Sequence, residues 1–244
     1  GWQLSAFDHS QQSDFGAPVF VFGYTRYRAT QQNIYSNLIY QSIISTSDHK
    51  FRTGWSFSGD RYRENFRNLP FDRKETVVGA FFEYTYSYMD KFSLVAGIRA
   101  DHNSLYGWFG TPRLHLRFEP VKGTVIRLAT GRGQRTANIL AENTGIFVSS
   151  RSFRILDPQP GKAYGLNPEV AWNSGVTLDQ QFSMGNRKGS ISLDYYYTRF
   201  IDQVVVDMED PRYISFYNLK GNSYSSSFQA EVNMELARKL ELRV

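Results

Sequence analysis

The side chains best equipped for chemistry in this chain are arginines set at alternate positions among small or apolar residues. Arg99 and Asp101 form one such pair, Arg113, His115 and Arg117 a second group, and Arg127 a third. Arg132, Arg135, Asn138 and Glu142 follow within one polar stretch. A guanidinium is a planar fork that holds a carboxylate or phosphate through two parallel hydrogen bonds, so these residues suit binding of anionic groups. Two readings stay open: contact with an anionic ligand, or pairing of Arg with carboxylates of neighbouring segments and simple hydration.

Bond-making chemistry has no comparable support. His9, His49, His102 and His115 form neither an HExxH nor an HxH pair, so no metal site is expected from them. No GxSxG and no GxxxxGK occurs, and Gly131-Arg132-Gly133 is too short to cradle a phosphate. Glu209-Asp210 lies in a charge-rich stretch and reads as solvated. The chain has no Cys, which removes disulfides and thiolate chemistry together. No catalytic residue, metal or cofactor is expected.

Composition narrows the class. Of the 28 basic residues 20 are Arg, and the net charge of +5 leans toward anionic partners. No run of five or more basic residues appears, so nucleic acid is not an expected partner. Mean hydropathy is −0.45, and no apolar run is long enough for a transmembrane helix. A spanning β-strand needs only about 9–11 residues with alternate ones apolar, so a barrel stays open. The 39 aromatic residues (19 Phe, 16 Tyr, 4 Trp) exceed the needs of a soluble core this size and suit an interfacial girdle.

The elements that must position the arginines are strands, because the period is 2 almost everywhere. Val78, Ala80, Phe82, Tyr84, Tyr86 and Tyr88 alternate with Gly79, Phe81, Glu83, Thr85 and Ser87. After Met89-Asp90-Lys91 the pattern resumes with Phe92, Leu94, Ala96, Ile98 and Ala100, a hairpin signature. Leu114, Leu116 and Phe118; Ile126 and Leu128; Trp172, Val176, Leu178 and Phe182; Ile191, Leu193, Tyr195 and Tyr197; and Phe228, Ala230, Val232 and Met234 repeat it. Phe51, Thr53, Trp55 and Phe57 do so earlier, with a weaker strand over 34–45. The tyrosine runs could also be carbohydrate platforms, but their spacing favours a lipid face or girdle.

These segments predict an all-β antiparallel meander of about ten strands plus a truncated one. Short connections near Asp48, Asp90, Lys122, Asn186 and Arg238 alternate with long ones over 8–32, 60–74, 104–110, 132–167 and 202–216. In an up-and-down sheet this puts all short turns at one end and all long loops at the other, the asymmetry of an outer-membrane barrel. The face bearing Arg99, Asp101, Arg113, His115, Arg117, Arg127, Asn173, Asp179, Asp194, Gln229 and Glu231 is too charged for a dry core. Lipid on the apolar face and a wet lumen on the charged one satisfy both. Leu114, Leu116, Phe118, Ile191 and Leu193 are expected on the convex, lipid-facing side. Neither end carries a turn or leader signal, so the expectation is an internal fragment.

Several phrases then resemble TonB-dependent outer-membrane receptors. ETVVGAFFEYTYSYMDKFSLVAGIRADHN (75–103) is similar to their strand pair ending in GxRxD, and TPRLHLRFEP (111–120) to the strand that follows. TVIRLATGRGQRTANILAEN (124–143), LNPEVAWNSGVTLDQQF (166–182), YYYTRFIDQVVV and YNLKGNSYSSSFQAEVNMEL continue the likeness in order, with wording closest to Bacteroidetes-type members. Two departures are Gln134-Arg135-Thr136-Ala137-Asn138 in place of Arg-Ala-Pro-Ser-Leu, and Asn173-Ser174-Gly175 in place of an acidic residue before Gly. Neither breaks the strand pattern.

The resemblance implies an integral protein of the bacterial outer membrane, not an enzyme. Residues 1–244 would be part of a 22-stranded barrel, without the N-terminal plug. The implied activity is uptake of a scarce solute, a metal–siderophore or similar chelate, energised by the TonB–ExbB–ExbD complex acting on that plug. Outer-membrane lipid and lipopolysaccharide are further implied partners. Arg132, Arg135, Asn138 and Glu142 would form a rim contacting the chelate or plug, and the ladder Arg99, Asp101, Arg113, His115, Arg117 and Arg127 would face the lumen and contact the plug. The alternatives are a passive porin-like or structural barrel, and a barrel-embedded hydrolase.

Overall fold

A computed structural model describes residues 1–15, 25–185, 187–237 and 240–244. Alternation of apolar and polar side chains makes each long segment a strand with one oily and one wet face. In chain order these are β1 (Trp2–Phe15), β2 (Thr25–Ile44), β3 (Thr46–Phe66), a two-residue β4 (Leu69–Pro70), β5 (Arg73–Tyr88), β6 (Phe92–Asn103), the short β7 (Gly107–Gly110), β8 (Arg113–Val121) and β9 (Thr124–Arg135). Then come β10 (Ser152–Ile155), β11 (Glu169–Met184), β12 (Arg187–Asp202), β13 (Val204–Asp207), β14 (Tyr213–Asn218), β15 (Ser223–Ala237) and β16 (Leu240–Arg243).

Eleven of these form one antiparallel meander in the order β1-β2-β3-β5-β6-β8-β9-β11-β12-β15-β16, with β4 on β3 and β7 on β6. The sheet is not closed, as expected of part of a barrel wall. No helix among the described residues is long and apolar enough to cross a membrane, so any crossing belongs to the strands.

Register shows how the two faces separate. One lateral row reads His49, Tyr86, Leu94, Leu116, Leu128, Val176, Tyr195, Phe228 across eight strands. A row above it reads Trp2, Leu38, Trp55, Ala80, Ala100. None of Leu114, Leu116, Phe118, Ile191 and Leu193 is buried. Apolar side chains this continuous and this exposed need a non-aqueous neighbour.

Turn chemistry explains the sorting of connections. Ser45, Met89-Asp90, Gly123 and Gly185 close the turns at one end with positive φ, the conformation that tight hairpins demand. The expected first turn near Asp48 falls instead at Ser45, and Asn186 and Arg238 lie outside the described residues. At the other end the connections are long, except that two are shorter than the sequence suggests. The stretch 8–32 is strand through Phe15 and again from Thr25, so only 16–24 remain, outside the described residues. Likewise β3 runs to Phe66, past the expected loop start at 60. Both extensions are polar on the two faces, so alternation does not reveal them. Ladder bonds and side-chain pairs hold them: the Gln32 amide donates to Asp8 Oδ2 at 3.0 Å, and Arg26 Nε lies 2.5 Å from Asp14 Oδ1.

The dry core is not between sheet faces. Every buried apolar side chain among the described residues sits at or beyond the long-loop end: Tyr27, Phe66, Ala137, Ile139, Leu140, Phe147, Ala163, Leu166, Val170, Ile214 and Phe216. The two longest connections carry their own small sheet, in which β10 runs parallel to β14 and β14 antiparallel to β13. The Phe66 ring lies 4.5 Å from that of Phe147, tilted by 46°, and meets Phe153 edge-on, which also meets Phe216. A one-turn helix, α1 (Ile139–Glu142), drives Ile139 and Leu140 into the same cluster. The loops form a packed cap over the end of the wall.

Candidate functional site

Beneath that cap the polar face holds a ladder of ion pairs, and the strand register decides who meets whom. Glu83 on β5 faces Arg52 on β3 and, through Gly97, Arg113 on β8. Its buried carboxylate accepts from Arg113 Nη2 and lies 3.6 Å from Arg52 Nη1. Arg99 forks onto Asp101, with Nε–Oδ2 at 2.7 Å and Nη2–Oδ1 at 2.5 Å, and also donates to Ser56 Oγ. Asp101 is 3% exposed and occupies the space beside Gly79, where a Cβ would stand 1.8 Å from its Oδ1. Arg127 binds Asp179, which also accepts from Ser192 Oγ at 2.7 Å.

The ten sequence-derived candidates do not form one site. Arg99, Asp101, Arg132 and Arg135 line a recess of about 430 Å³ at the long-loop end, with Glu75, Asn103 and Tyr106. Arg132 Nη1 donates to the Gly110 carbonyl at 2.6 Å. Arg135 forks onto Glu142 at 2.7 and 3.1 Å and reaches Glu169 at 2.6 Å, so its charge is matched locally. Asn138 turns away from the recess and accepts from Arg73 Nη2. Arg113, exposed His115 and Arg127 lie further down the wall. Arg117 is near the opposite end, where it donates to the Asp90 carbonyl and pairs with Glu119.

The sequence reading missed the most heavily connected polar group. Glu64, 3% exposed at the end of β3, accepts from Tyr27 Oη at 2.7 Å and Arg73 Nη1 at 2.6 Å, and from Tyr164 Oη. Arg73 is packed face-on to Tyr62, 3.7 Å from its ring centre. Glu75 forms a smaller hub, accepting from Asn103 Nδ2 and Thr136 Oγ1, each at 2.7 Å. Both carboxylates sit where a strand meets the cap. The only local signal was their place in the alternation on the polar face.

Tyr164 carries a further consequence. It adopts φ of 52° within the short 3-10 turn Ala163–Gly165, a left-handed conformation that its buried hydroxyl contacts hold in place. Burial, and then the Glu64 charge, push its ionisation above the ordinary tyrosine value, while Arg73 pulls the other way. The folded state therefore keeps the neutral phenol, and that contribution is complete below about pH 10 and is lost as the pH rises beyond it. Protease protection of the cap in the full-length protein is expected to fall above about pH 10. Tyr164→Phe should flatten that fall and cost about 1–2 kcal/mol of cap stability at neutral pH; an unchanged alkaline profile would contradict this role.

Comparison with known proteins agrees with this architecture. The family model for the TonB dependent receptor-like β-barrel matches residues 1–243. Curated protein sequences give no significant match. Among solved structures, the chain is similar to a variant of the ferric enterobactin receptor PfeA from Pseudomonas aeruginosa, at 13% identity and a TM-score of 0.70, covering 99% of this chain and 40% of that one. It is also similar to the siderophore receptor PirA from the same organism (11%, TM-score 0.60, 99% and 49% covered). A third is a double mutant of the Serratia marcescens hemophore receptor HasR (13%, TM-score 0.66, 96% and 43% covered). The chain thus spans less than half the length of these receptors. An open wall with one lipid-facing and one ion-paired side, short turns below and a packed cap above, belongs to the TonB-dependent receptor β-barrel family of integral outer-membrane proteins.

Proposed function

We propose that residues 1–244 are one part of the barrel wall of a TonB-energised uptake receptor, whose plug and remaining strands belong to sequence outside this chain. The observation that carries this reading is the recess bounded by Arg99, Asp101, Arg132 and Arg135, opening on the polar face directly under the cap. Arg99 and Arg135 are already paired with carboxylates, but Arg132 is bonded to a neutral carbonyl, and a guanidinium so placed at a wet, partly enclosed rim suits an anionic solute such as a metal–siderophore chelate. PfeA, PirA and HasR are receptors for ferric enterobactin, a siderophore and a hemophore, which supports this substrate class. On this reading the protein transports and does not catalyse, and TonB–ExbB–ExbD supplies the energy through the plug.

The test is growth of a deletion strain complemented with the full-length gene, offered iron chelates, haem, cobalamin, copper or oligosaccharides as sole source. Growth on an iron chelate that requires TonB is the expected result. Uptake independent of TonB would favour a porin-like channel instead. Arg132→Ala is expected to weaken chelate binding about ten- to a hundredfold, since a charge-assisted hydrogen bond contributes about 1.5–3 kcal/mol. Unchanged affinity in that variant would remove Arg132 from the rim.

A further inference from the structure

The ladder between β8 and β9 stops at Arg113 and Gly131, yet the chain continues toward the cap on both sides. Beyond that point β7 bonds to β6 alone, and residues 132–135 of β9 bond to β11 alone. Among the described residues no backbone hydrogen bond joins the two facing edges. Below, the Arg132 amide closes the gap by donating to the Pro112 carbonyl at 3.0 Å. Above, Tyr106 closes it by reaching Thr136 and the backbone of Ala163. What remains is a slot about four residues tall, roughly 13 Å at the rise of a strand. One side chain bars it, because Arg132 donates across it to the Gly110 carbonyl at 2.6 Å.

The slot passes through the wall. On the polar face lies the recess of about 430 Å³ with Arg99 and Asp101, and on the other face a second recess of about 540 Å³ with Trp108 and Lys162. The two share Tyr106, Phe109, Arg132, Gln134 and Pro168. Register separates the faces: Phe109 stands opposite Asp101 on the wet side, whereas Trp108, opposite His102, and Arg132, opposite Trp172, belong to the outward side. An arginine of the outward face thus reaches the lumenal recess because the ladder beside it is open.

The lining sets the chemistry. Trp108 is 75% exposed, edge-on to His102, and gives the outward recess an apolar side together with Phe109. No carboxylate lines that recess. Neither Arg132 nor Lys162 joins an ion pair among the described residues. Lys162 donates to the side-chain oxygens of Gln159 and Asn167, both neutral. Two cations with neutral partners, beside aromatic rings at the margin of the lipid-facing belt, fit a ligand with one anionic group and an apolar body.

We propose that this slot is a lateral entrance, where a single-chain amphiphile bearing a carboxylate binds from the outward side. The carboxylate is taken by the Arg132 fork and Lys162, and the acyl chain lies along Trp108 and Phe109. A charged acceptor outcompetes the Gly110 carbonyl for Arg132, so binding draws the bar aside and joins the two recesses. The narrow slot takes one chain and not a glycolipid with several. The inference rests on the wall's place in the outer membrane and not on the chelate reading, with which it shares Arg132 but not the ligand.

The full-length receptor, purified in detergent, is exposed to dodecanoate and to dodecanol, each with a photoreactive diazirine at the chain end, and cross-linked peptides are read by mass spectrometry. Dodecanoate is expected to label 105–110 and 132–135. Dodecanol should label them about tenfold less, for want of the charge-assisted bond to Arg132. Gly110→Phe fills the outward mouth, and the fold accommodates it, since a Cβ there meets only the Arg99 carbonyl, at 3.8 Å. That variant should lose most of the labelling while growth on the hydrophilic chelate persists. Equal labelling by acid and alcohol, or full labelling of Gly110→Phe, would overturn the entrance. So would displacement of dodecanoate by lipid A bisphosphate at equal concentration. Heat-modifiable migration reports folding. Should Gly110→Phe not fold, Trp108→Ala and Lys162→Gln carry the same test, and wild-type labelling in both would overturn it. Failure of TonB-dependent growth with this labelling retained would remove the uptake reading alone.

Discussion

Glu64→Gln is expected to detach the cap from the wall while leaving the wall inserted. Glu64 and Arg73 have side chains only 3% and 7% exposed, at 2.6 Å separation. Removing one partner of such a pair strands the other charge in a dry site, a loss of about 3–5 kcal/mol. The variant keeps the size of the side chain, so the loss reports charge rather than a cavity. Tyr27 and Tyr164 are left donating to a neutral amide in place of a carboxylate, and Arg73, which also donates to Asn138 Oδ1, loses its counter-charge at the same time. The measurement is limited proteolysis of the full-length receptor in outer membranes. Cleavage is expected within 136–168 and 203–222, with heat-modifiable migration of the barrel retained. Glu64→Leu combined with Arg73→Met should recover part of the protection, because a buried ion pair is replaceable by apolar side chains of similar volume. Cleavage no faster than in the unmodified protein would show that the cap does not depend on this charge pair.

Leu116→Arg is expected to destabilise the inserted barrel by about 2–4 kcal/mol, the cost of a cation on the lipid face near the midplane. Leu116 lies in the middle of the apolar row between Leu94 and Leu128, with Leu114 and Phe118 on either side of it along β8. The neighbouring His115 points to the opposite face, so His115→Arg on the wet side should cost well under 1 kcal/mol. Unfolding of the full-length protein from vesicles in guanidinium measures both. Equal effects for the two substitutions would refute the assignment of faces. A large effect of His115→Arg alone would reverse it.

The wall was legible because its chemistry is local. Leu94, Leu116 and Leu128 each announce their face through the residue two positions away, so register and sidedness follow from short segments. The second half of β1 and the first half of β2 were not, since Ser10, Gln12, Thr30 and Arg28 have no oily face to alternate against. Arg99 and Asp101 were readable as a same-face pair at i and i+2, and the structure joins them. Arg135 and Glu142 were named together and do pair, across the polar stretch that contains α1. Glu64 and Glu75 gave no comparable signal, because their partners come from residues as distant as Tyr164 and Thr136. The cap was invisible for the same reason: Phe66, Phe147, Phe153 and Phe216 converge from three separate segments, and no single one shows a core pattern.

The parallel pairing of β10 with β14 fixes an order of assembly. Arg154 and Ser215, matched in that register, are 61 residues apart and bonded at 2.8 Å. Four pairs of residues are too few to hold so long an excursion closed against the entropy of the free chain. The excursion shortens only after β9, β11 and β12 have zipped side by side and brought their upper ends together. The small sheet therefore forms last, and its presence at the cell surface marks a wall whose strands are already in register.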